Sequence, residues 1–361
     1  MGSSPFESRI AAIDEEIRTA LTQAEASLQP FYGMMLYHLG LDAEGPTTGK
    51  RLRPLLCSLV FEALEGDARR AMPAAAALEL LHNFTLIHDD IEDQDPTRRH
   101  RPTVWSVWGV PQAINAGDGM YAVSRLAVQR LRERGFPAER ILDFAHLIDQ
   151  ASVRVCEGQF LDISFESRTD VTAERYRAMV AKKTGALIAA SAEGAAILAT
   201  DDAELRAALA RFGDDFGQAF QAHDDLLGIW ATTARTGKLE MNDLVKRKKT
   251  LPVVLAFERA TPKVREALAA QFEPGAPLPP ANVEAIRDIL DTLGVRALIE
   301  REIDSHRSRA LHELRSIVAM AAGRVLPGGS SGVPLGGLRE PLSLLEHLVE
   351  TATGVTEAAA A

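Results

Sequence analysis

Two acidic groups in this chain have the residue types and spacing of a metal grip. The first is Asp89, Asp90 and Asp93, in the run His88-Asp89-Asp90-Ile91-Glu92-Asp93. Residues four apart lie one above the other on a helix, so Asp89 and Asp93 face the same way. Two such carboxylates repel each other. At the end of an apolar helix a stable arrangement calls for a cation between them, and oxygen ligands of this kind suit Mg²⁺. The second group is Asp224-Asp225, preceded by Phe220-Gln221-Ala222-His223, where Gln221 and Asp225 are again four apart. A lone Asp-Asp pair is more often a solvated face or a helix cap, and Asp201-Asp202 and Asp214-Asp215 are expected to be that. The group at Asp89 differs because Arg98-Arg99 follow it and His82 and His88 flank it.

Mg²⁺ keeps several waters and is held by one or two carboxylates together with phosphate oxygens. Acidic clusters with cations nearby therefore describe a diphosphate site, in which metal bridges acid to phosphate and Lys or Arg neutralise the remaining charge. The available cations are Lys50, Arg51 and Arg53; Arg98, Arg99 and Arg101; Lys182 and Lys183; Lys238; and the run from Lys246 to Lys249. Singly, each is an ordinary surface charge. Their joint placement beside loops and acidic clusters is not explained by solvation.

The elements that must position these groups read as helices. From Ile10 the residues Ile13, Ile17, Leu21, Ala24 and Leu28 recur at helical spacing, and Pro30 is expected to end that helix. Ala77, Leu80, Leu81, Phe84 and Ile87 repeat the pattern, with Pro73 suited to a first helical turn. Asp201 followed by Glu204 predicts a helix start, and the stripe Leu205, Leu209, Phe212, Phe216 and Phe220 carries it to about Leu227. No period-2 run bounded by turn residues appears, and Pro252 to Leu255 is too short to decide, so the fold class is all-α. Loops are expected at Leu41 to Gly49, Gln94 to Thr103, Ala231 to Lys249 and Gln271 to Pro280. The Gly/Pro/Ser-rich stretch Val325 to Gly337 reads as a mobile segment, and Glu357 to Ala361 as a frayed end.

Composition narrows the function classes. With 361 residues, 46% hydrophobic and 25% charged, the chain is that of a globular protein. A formal charge of -10 argues against nucleic acid as a partner, because such affinity comes from neutralising phosphates with a basic face. Cys57 and Cys156 form no disulfide framework and read as small buried apolar side chains, which makes a reducing cytoplasm the expected compartment. No secretory signal is visible, and Phe6 stands where a myristoylation motif needs Ser or Thr. The most apolar stretch, Thr184 to Thr200, is interrupted by Glu193 and reads as a buried helix, so no stable membrane insertion is expected.

Further motifs join the acidic groups in order along the chain. They are Gly49-Lys50-Arg51-Leu52-Arg53-Pro54, Glu79-Leu80-Leu81-His82, Asn115-Ala116-Gly117-Asp118, Gly158-Gln159-Phe160-Leu161-Asp162 and Lys183-Thr184-Gly185. Gly237-Lys238, Asp243-Leu244 and Lys248-Lys249-Thr250-Leu251-Pro252 complete the set. Together with the two acidic groups they resemble the trans-isoprenyl diphosphate synthase, or polyprenyl synthetase, family over nearly the whole chain, and most of all its geranylgeranyl diphosphate synthases. The resemblance implies a single all-helical domain over residues 1–361, a bundle around a central elongation cavity with the two Asp clusters facing across its mouth, usually as a homodimer. It implies Mg²⁺ as cofactor, three ions with substrate bound, on Asp89, Asp93 and Asp224, supported by Asp90 and Asp225. Arg98, Lys183, Thr184, Gln221, Lys238 and Lys248 would contact the allylic diphosphate. Lys50, Arg53, His82 and Arg99 would hold isopentenyl diphosphate.

The implied reaction breaks the allylic carbon–oxygen bond, with metals and cations stabilising the charge that develops on the departing diphosphate. The double bond of isopentenyl diphosphate then attacks, and a proton leaves to the released diphosphate, since no His or Glu is evidently placed as the base. The family's second motif ends in a third Asp. Here Gly228 stands in its place, which bears on metal affinity and allylic preference, while Asp224 is expected to carry the direct contact. Bulky Phe84 and small Thr85, five and four residues before Asp89, resemble the chain-length pattern of C20 synthases. Farnesyl or longer products are the alternative of the same class. A cyclising lyase of the same broad fold needs no second diphosphate pocket, and a non-catalytic partner subunit would have shed acidic residues.

Overall fold

The computed structural model describes residues 4–22, 25–42, 49–168, 170–231, 242–272, 278–323 and 335–354. The helices are α1 Glu7–Leu21, α2 Gln29–Leu39, α3 Leu52–Glu65, α4 Met72–Glu92, α5 Val104–Trp108, α6 Val110–Gln129, α7 Ala138–Glu166 and α8 Ala173–Val180. They continue as α9 Ala186–Ala199, α10 Ala203–Trp230, α11 Asn242–Val245, α12 Leu251–Arg259, α13 Pro262–Gln271, α14 Pro280–Thr292, α15 Val295–Gly323 and α16 Leu335–Ala352. The all-α expectation holds. Among the described residues the strands are confined to a hairpin, β1 Thr97–Arg98 and β2 Arg101–Pro102, paired antiparallel with Arg98 opposite Arg101. No helix among these residues is long and apolar enough to cross a membrane.

Contacts within the chain define two compact units. The first comprises Met1–Gln150, Ala190–Ala210 and Leu314–Leu348. In it α1 buries Ile13, Ile17 and Leu21, the predicted stripe, but ends at Leu21. Pro30 does not terminate that helix. It sits in the first turn of α2, where its missing N–H costs nothing. Pro73 does the same for α4, as expected. Ala74 to Ala77 are fully buried, and α4 and α6 pack along each other. Small residues set that approach: a Cβ on Gly117 of α6 would lie 2.3 Å from His88 Nε2.

The second unit comprises Ala151–Ala189, Arg211–Glu313 and Val349–Ala361. Its core joins Tyr176, Met179 and Val180 of α8 to Leu244, Val253, Val254 and Phe257, and to Val283, Ile286, Leu290, Val295 and Ile299. The undecided Pro252 to Leu255 stretch is therefore a buried helical turn in α12. Between α8 and α9 the backbone widens into one π-helical turn, Ala181–Gly185. The long α10 begins one residue later than its sequence suggests: Asp202, not Asp201, accepts the amide hydrogens of Glu204 and Leu205, at 3.0 and 3.1 Å. Asp201 instead pairs with Arg140 and Arg206. Asp202 is thus the expected cap and Asp201 is exposed, whereas Asp215 is not a solvated face, since His306 and Arg309 both bond its Oδ1.

The expected mobile stretch at 325–337 lies outside the described residues except for 335–337, which open α16. The expected fraying at 357–361 lies outside them as well.

Candidate active site

In the first unit the acidic group closes α4. Asp93 is the C-cap residue, its N–H bonded to Asp89 O at 2.8 Å, so the helical spacing of Asp89 and Asp93 is preserved to the end. Asp89 is partly exposed, whereas Asp90 is buried. Arg98, on β1, donates from Nε to Asp90 Oδ1 at 2.7 Å and from Nη2 to Asp89 Oδ2 at 3.4 Å. Burial pushes the Asp90 carboxyl up to about 6 against the pull of Arg98, with Asp89 and Asp93 adding to the rise. Its Oδ2 is buried with no hydrogen-bond partner among the described residues.

The hairpin that carries Arg98 turns through Arg99 and His100, both with positive φ, 50° and 62°. Two residues of this kind make the tight turn whose twist suits a two-residue hairpin. It brings Arg99 onto the chain before α3: a Cβ on Gly49 would lie 2.6 Å from Arg99 Nη2. Beside it Lys50 is exposed and Arg53 is buried. Burial lowers Arg53 to about 10, with Glu79 opposing, and its Nε has no hydrogen-bond partner among the described residues. His82 is held well below the ordinary imidazole range, first by burial, then by Arg53, Arg99 and Arg98. His38 is lowered likewise by burial, then by Arg98, Arg99 and Arg51. Guanidinium groups thus crowd two histidines that stay neutral. Such a cluster is built to receive an anion.

Arg51 sits in the same motif and serves another purpose. Its φ is 49°, and its side chain is fully buried. It donates to Asp14 Oδ1 at 2.8 Å, Glu79 Oε1 at 2.9 Å and Leu39 O at 2.9 Å. These bonds tie α1, α2 and α4 to the start of α3 and fix the loop that carries Lys50 and Arg53. Arg51 is thus spent as a tether.

Phe84 and Thr85 lie on α4 below the acidic group. Phe84 is half-buried, edge-on to His88 and Tyr121 with ring centroids 5.8 and 5.2 Å away, and Thr85 Oγ1 donates to His82 O at 2.7 Å.

In the second unit Asp224 is exposed on α10 and Asp225 is buried. Among the described residues the hydrogen-bond partners of Asp225 are neutral. Tyr176 O–H donates to Oδ2 at 2.7 Å, Leu251 N–H to Oδ2 at 3.2 Å, and Gln221 Nε2 to Oδ1 at 2.9 Å. Burial raises Asp225 to about 7; Gln221 and Tyr176 oppose the rise, and Asp243 adds to it. Gln221 in turn accepts from Thr184 Oγ1 at 2.7 Å. Thr184 and Lys183 are presented by the π turn, a local widening that often marks functional sites. Lys183 Nζ reaches Asp162 Oδ2 at 2.6 Å. A Cβ on Gly158 would lie 2.3 Å from Lys183 N, so only glycine lets α7 pass that turn. Lys248 is half-buried, its N–H bonded to Asp243 O at 2.8 Å. Lys238 lies outside the described residues.

The donor set fits Mg²⁺. In the first unit the donors are the carboxylate oxygens of Asp89 and Asp93, with Arg98 against Asp89, and in the second that of the exposed Asp224; among the described residues no three acidic, His or Cys side chains form a ready cage. That is the pattern of an ion completed by water and phosphate. The sequence did not single out Tyr176 or His38, nor the burial of Asp90 and Asp225. Tyr176 is 49 positions from the carboxylate it holds, and only the fold joins them.

Residues 43–291 match the polyprenyl synthetase family. Over 300 residues the chain is 39% identical to a geranylgeranyl diphosphate synthase of Mycobacterium tuberculosis, covering 81% of this chain and 84% of that protein. It is 42% identical over 245 residues to a (2E,6E)-farnesyl diphosphate synthase of Mycobacterium bovis, 66% of this chain and 67% of the relative. The crystal structure of a geranylgeranyl pyrophosphate synthase from Corynebacterium glutamicum, complexed with isoprenyl diphosphate and magnesium, matches with a TM-score of 0.78 at 26% identity. The match covers 96% of this chain and 98% of that one.

Proposed function

We infer that this chain, which belongs to the polyprenyl synthetase family and is a trans-prenyltransferase, condenses isopentenyl diphosphate with an allylic diphosphate to the linear all-trans C20 product, geranylgeranyl diphosphate. The observation that carries the substrate reading is the buried Arg53, with a donor to spare, among Arg98, Arg99 and the neutral His82 and His38. A diphosphate satisfies that cluster in charge and in hydrogen bonding.

Lys50, Arg53, His82 and Arg99 hold isopentenyl diphosphate in this reading. Arg98, Lys183, Thr184, Gln221, Lys238 and Lys248 contact the allylic diphosphate, and Asp89, Asp93 and Asp224 are the metal ligands, with Asp90 and Asp225 bracing them. Mg²⁺ held by these carboxylates would supply positive charge that offsets the charge developing on the leaving group. As the allylic carbon–oxygen bond breaks, its electron pair departs with diphosphate, and Arg98 and Lys183 stabilise that charge. The double bond of isopentenyl diphosphate supplies the new carbon–carbon bond, and the proton lost in restoring a double bond goes to the released diphosphate. Apolar side chains beside α4 keep water from the cationic carbon.

Phe84 supports the C20 assignment because it is bulky and half-buried on α4, five residues before Asp89. The C15 name of one relative makes product size the point to test. Incubation with Mg²⁺, isopentenyl diphosphate and each of the C5, C10 and C15 allylic diphosphates is expected to end at C20. Phe84→Ala is expected to lengthen the product, and an unchanged distribution removes Phe84 from the role. Cyclic hydrocarbon would indicate a lyase, and no turnover a partner subunit. A homodimer is part of the reading, supported by Leu142, Val153, Phe160 and Ile163, exposed apolar residues along one side of α7. A reducing cytoplasm is too, since Cys57 and Cys156 form no disulfide.

A further inference from the structure

We propose that Asp243 supplies the second carboxylate of the α10 metal grip, in the space that Gly228 leaves open. The inference rests on the prenyltransferase site described above and deepens it. Asp224 and Gly228 are four apart on α10, so they share a face, with Cβ positions roughly 5–6 Å apart. A carboxylate at the second position would repeat the relation of Asp89 to Asp93. Position 228 has no side chain, but Asp243 reaches into its place. The Cβ of any residue at 228 would lie 2.2 Å from Asp243 Oδ2 and 3.0 Å from its Cγ. Asp243 therefore approaches α10 where a side chain on the helix would otherwise emerge. Glycine is required because the carboxylate arrives from a different segment.

The approach is anchored. Leu244, the next residue, is fully buried in the core of the second unit. Asp243 O accepts from Lys248 N at 2.8 Å, Leu244 O from Arg247 N at 2.9 Å, and Val245 O from Leu278 N at 3.1 Å. The short α11 is thus pinned on both sides, and its first carboxylate is held against α10. Asp225 does not fill the same role, because Tyr176, Leu251 and Gln221 already bond both of its oxygens. Asp224 is outward and exposed on the face of α10 that Asp243 approaches at Gly228, and these two are the pair that a divalent cation would bridge.

The test uses the full-length protein, inorganic diphosphate and Mn²⁺ as a paramagnetic stand-in for Mg²⁺, with bound Mn²⁺ counted by electron paramagnetic resonance. Asp243→Asn and Asp243→Ala are expected to weaken Mn²⁺ binding in the presence of diphosphate about tenfold or more. The Mg²⁺ concentration for half-maximal turnover should rise in parallel. The double variant Gly228→Asp with Asp243→Ala puts the carboxylate back from the helix itself and is expected to recover much of that affinity. Circular dichroism melts identify the folded variants. An Asp243→Asn protein with wild-type Mn²⁺ affinity overturns the proposal, as does a folded double variant no better than Asp243→Ala. Wild-type protein that binds no Mn²⁺ with diphosphate would instead bring down the prenyltransferase site itself.

Discussion

At the end of α4 Asp89 is partly exposed and Asp90 is buried; on α10 Asp224 is exposed and Asp225 is buried. Both Asp-Asp pairs thus split in the same way, one residue offered outward and its neighbour turned in. Adjacent helical residues point about a quarter-turn apart, so a pair at the edge of a buried face divides like this as a matter of geometry. The means of holding the inner residue differ. Asp90 is kept by a guanidinium, that of Arg98, whereas Asp225 is kept by a phenol, a carboxamide and a backbone amide. Burial is the largest cause of the rise at both, to about 6 at Asp90 and about 7 at Asp225; the charge of Arg98 opposes it at Asp90, and neutral donors oppose it at Asp225. One inner Asp is half of an ion pair, and the other is a node in a neutral network.

The largest effect tests the likeness of the two pairs. If the outer residues are the metal ligands, Asp89→Asn and Asp224→Asn should each lower turnover on the order of 10³-fold in steady-state assays, because each removes a charge that acts on the leaving group. Thermal melts should shift little, since neither side chain is packed into the core. A variant of either kind that keeps wild-type turnover breaks the likeness on that side.

The next effect tests the difference. Asp90→Asn leaves the Arg98 guanidinium without its close buried partner, and a loss of about 1–3 kcal/mol in urea unfolding is expected. Asp225→Asn should cost less, under about 1 kcal/mol, for a geometric reason. The new carboxamide oxygen still accepts from Tyr176 and Leu251. Its NH₂ can donate to Gln221 once that amide turns over, and Thr184 O–H can then receive from Gln221. Equal losses in the two variants would mean that the charged and neutral supports are worth the same.

This contrast also marks how far the sequence could be read. The acidic motifs, the cations after them and the apolar stripes of α1, α4 and α10 are local, fixed by residue type and a period near 3.6, so they were legible. The supports were not. Tyr176 meets Asp225 across 49 residues, and Arg51 meets Asp14 across 37, distances over which no periodicity speaks. Pro30 is ambiguous in sequence because proline ends one helix and begins another by the same loss of an N–H, and only the surrounding chain decides which. The hairpin at Thr97 to Pro102 escaped because its turn uses Arg99 and His100 with positive φ, where Asn and Gly are the usual signal. The π turn at Ala181–Gly185 leaves no mark in composition; its sole trace is Gly158, whose reason lies across the fold. Gly228 was noticed as a missing Asp, but the residue that fills its space could be found only from coordinates.

The smallest effect sharpens the comparison through protons, and it belongs to the α4 side, where cations gather. His38 and His82 are both held well below the ordinary imidazole value, by burial first and by neighbouring arginines second. A histidine depressed in the folded state and ordinary in the unfolded one binds its proton preferentially in the unfolded state, so stability rises with pH below the unfolded value and is lost as pH falls. Between pH 6.5 and 5 each such group contributes a slope of at most about 1.4 kcal/mol per pH unit. The raised Asp90 and Asp225 carboxyls take up protons in the folded state over the same range and act in the opposite direction, so the histidines' fall towards acid is read by difference: His38→Gln should lose less of its urea midpoint towards acid than the parent protein. Saturating inorganic diphosphate should lessen that loss as well. Burial is the first cause of His82's low value and the arginines the second, so an anion among Arg53, Arg98 and Arg99 offsets the second, raises the folded value towards the unfolded one and reduces the penalty. A slope that diphosphate leaves unchanged would mean that the anion binds elsewhere and that the crowded arginines beside α4 are not its site.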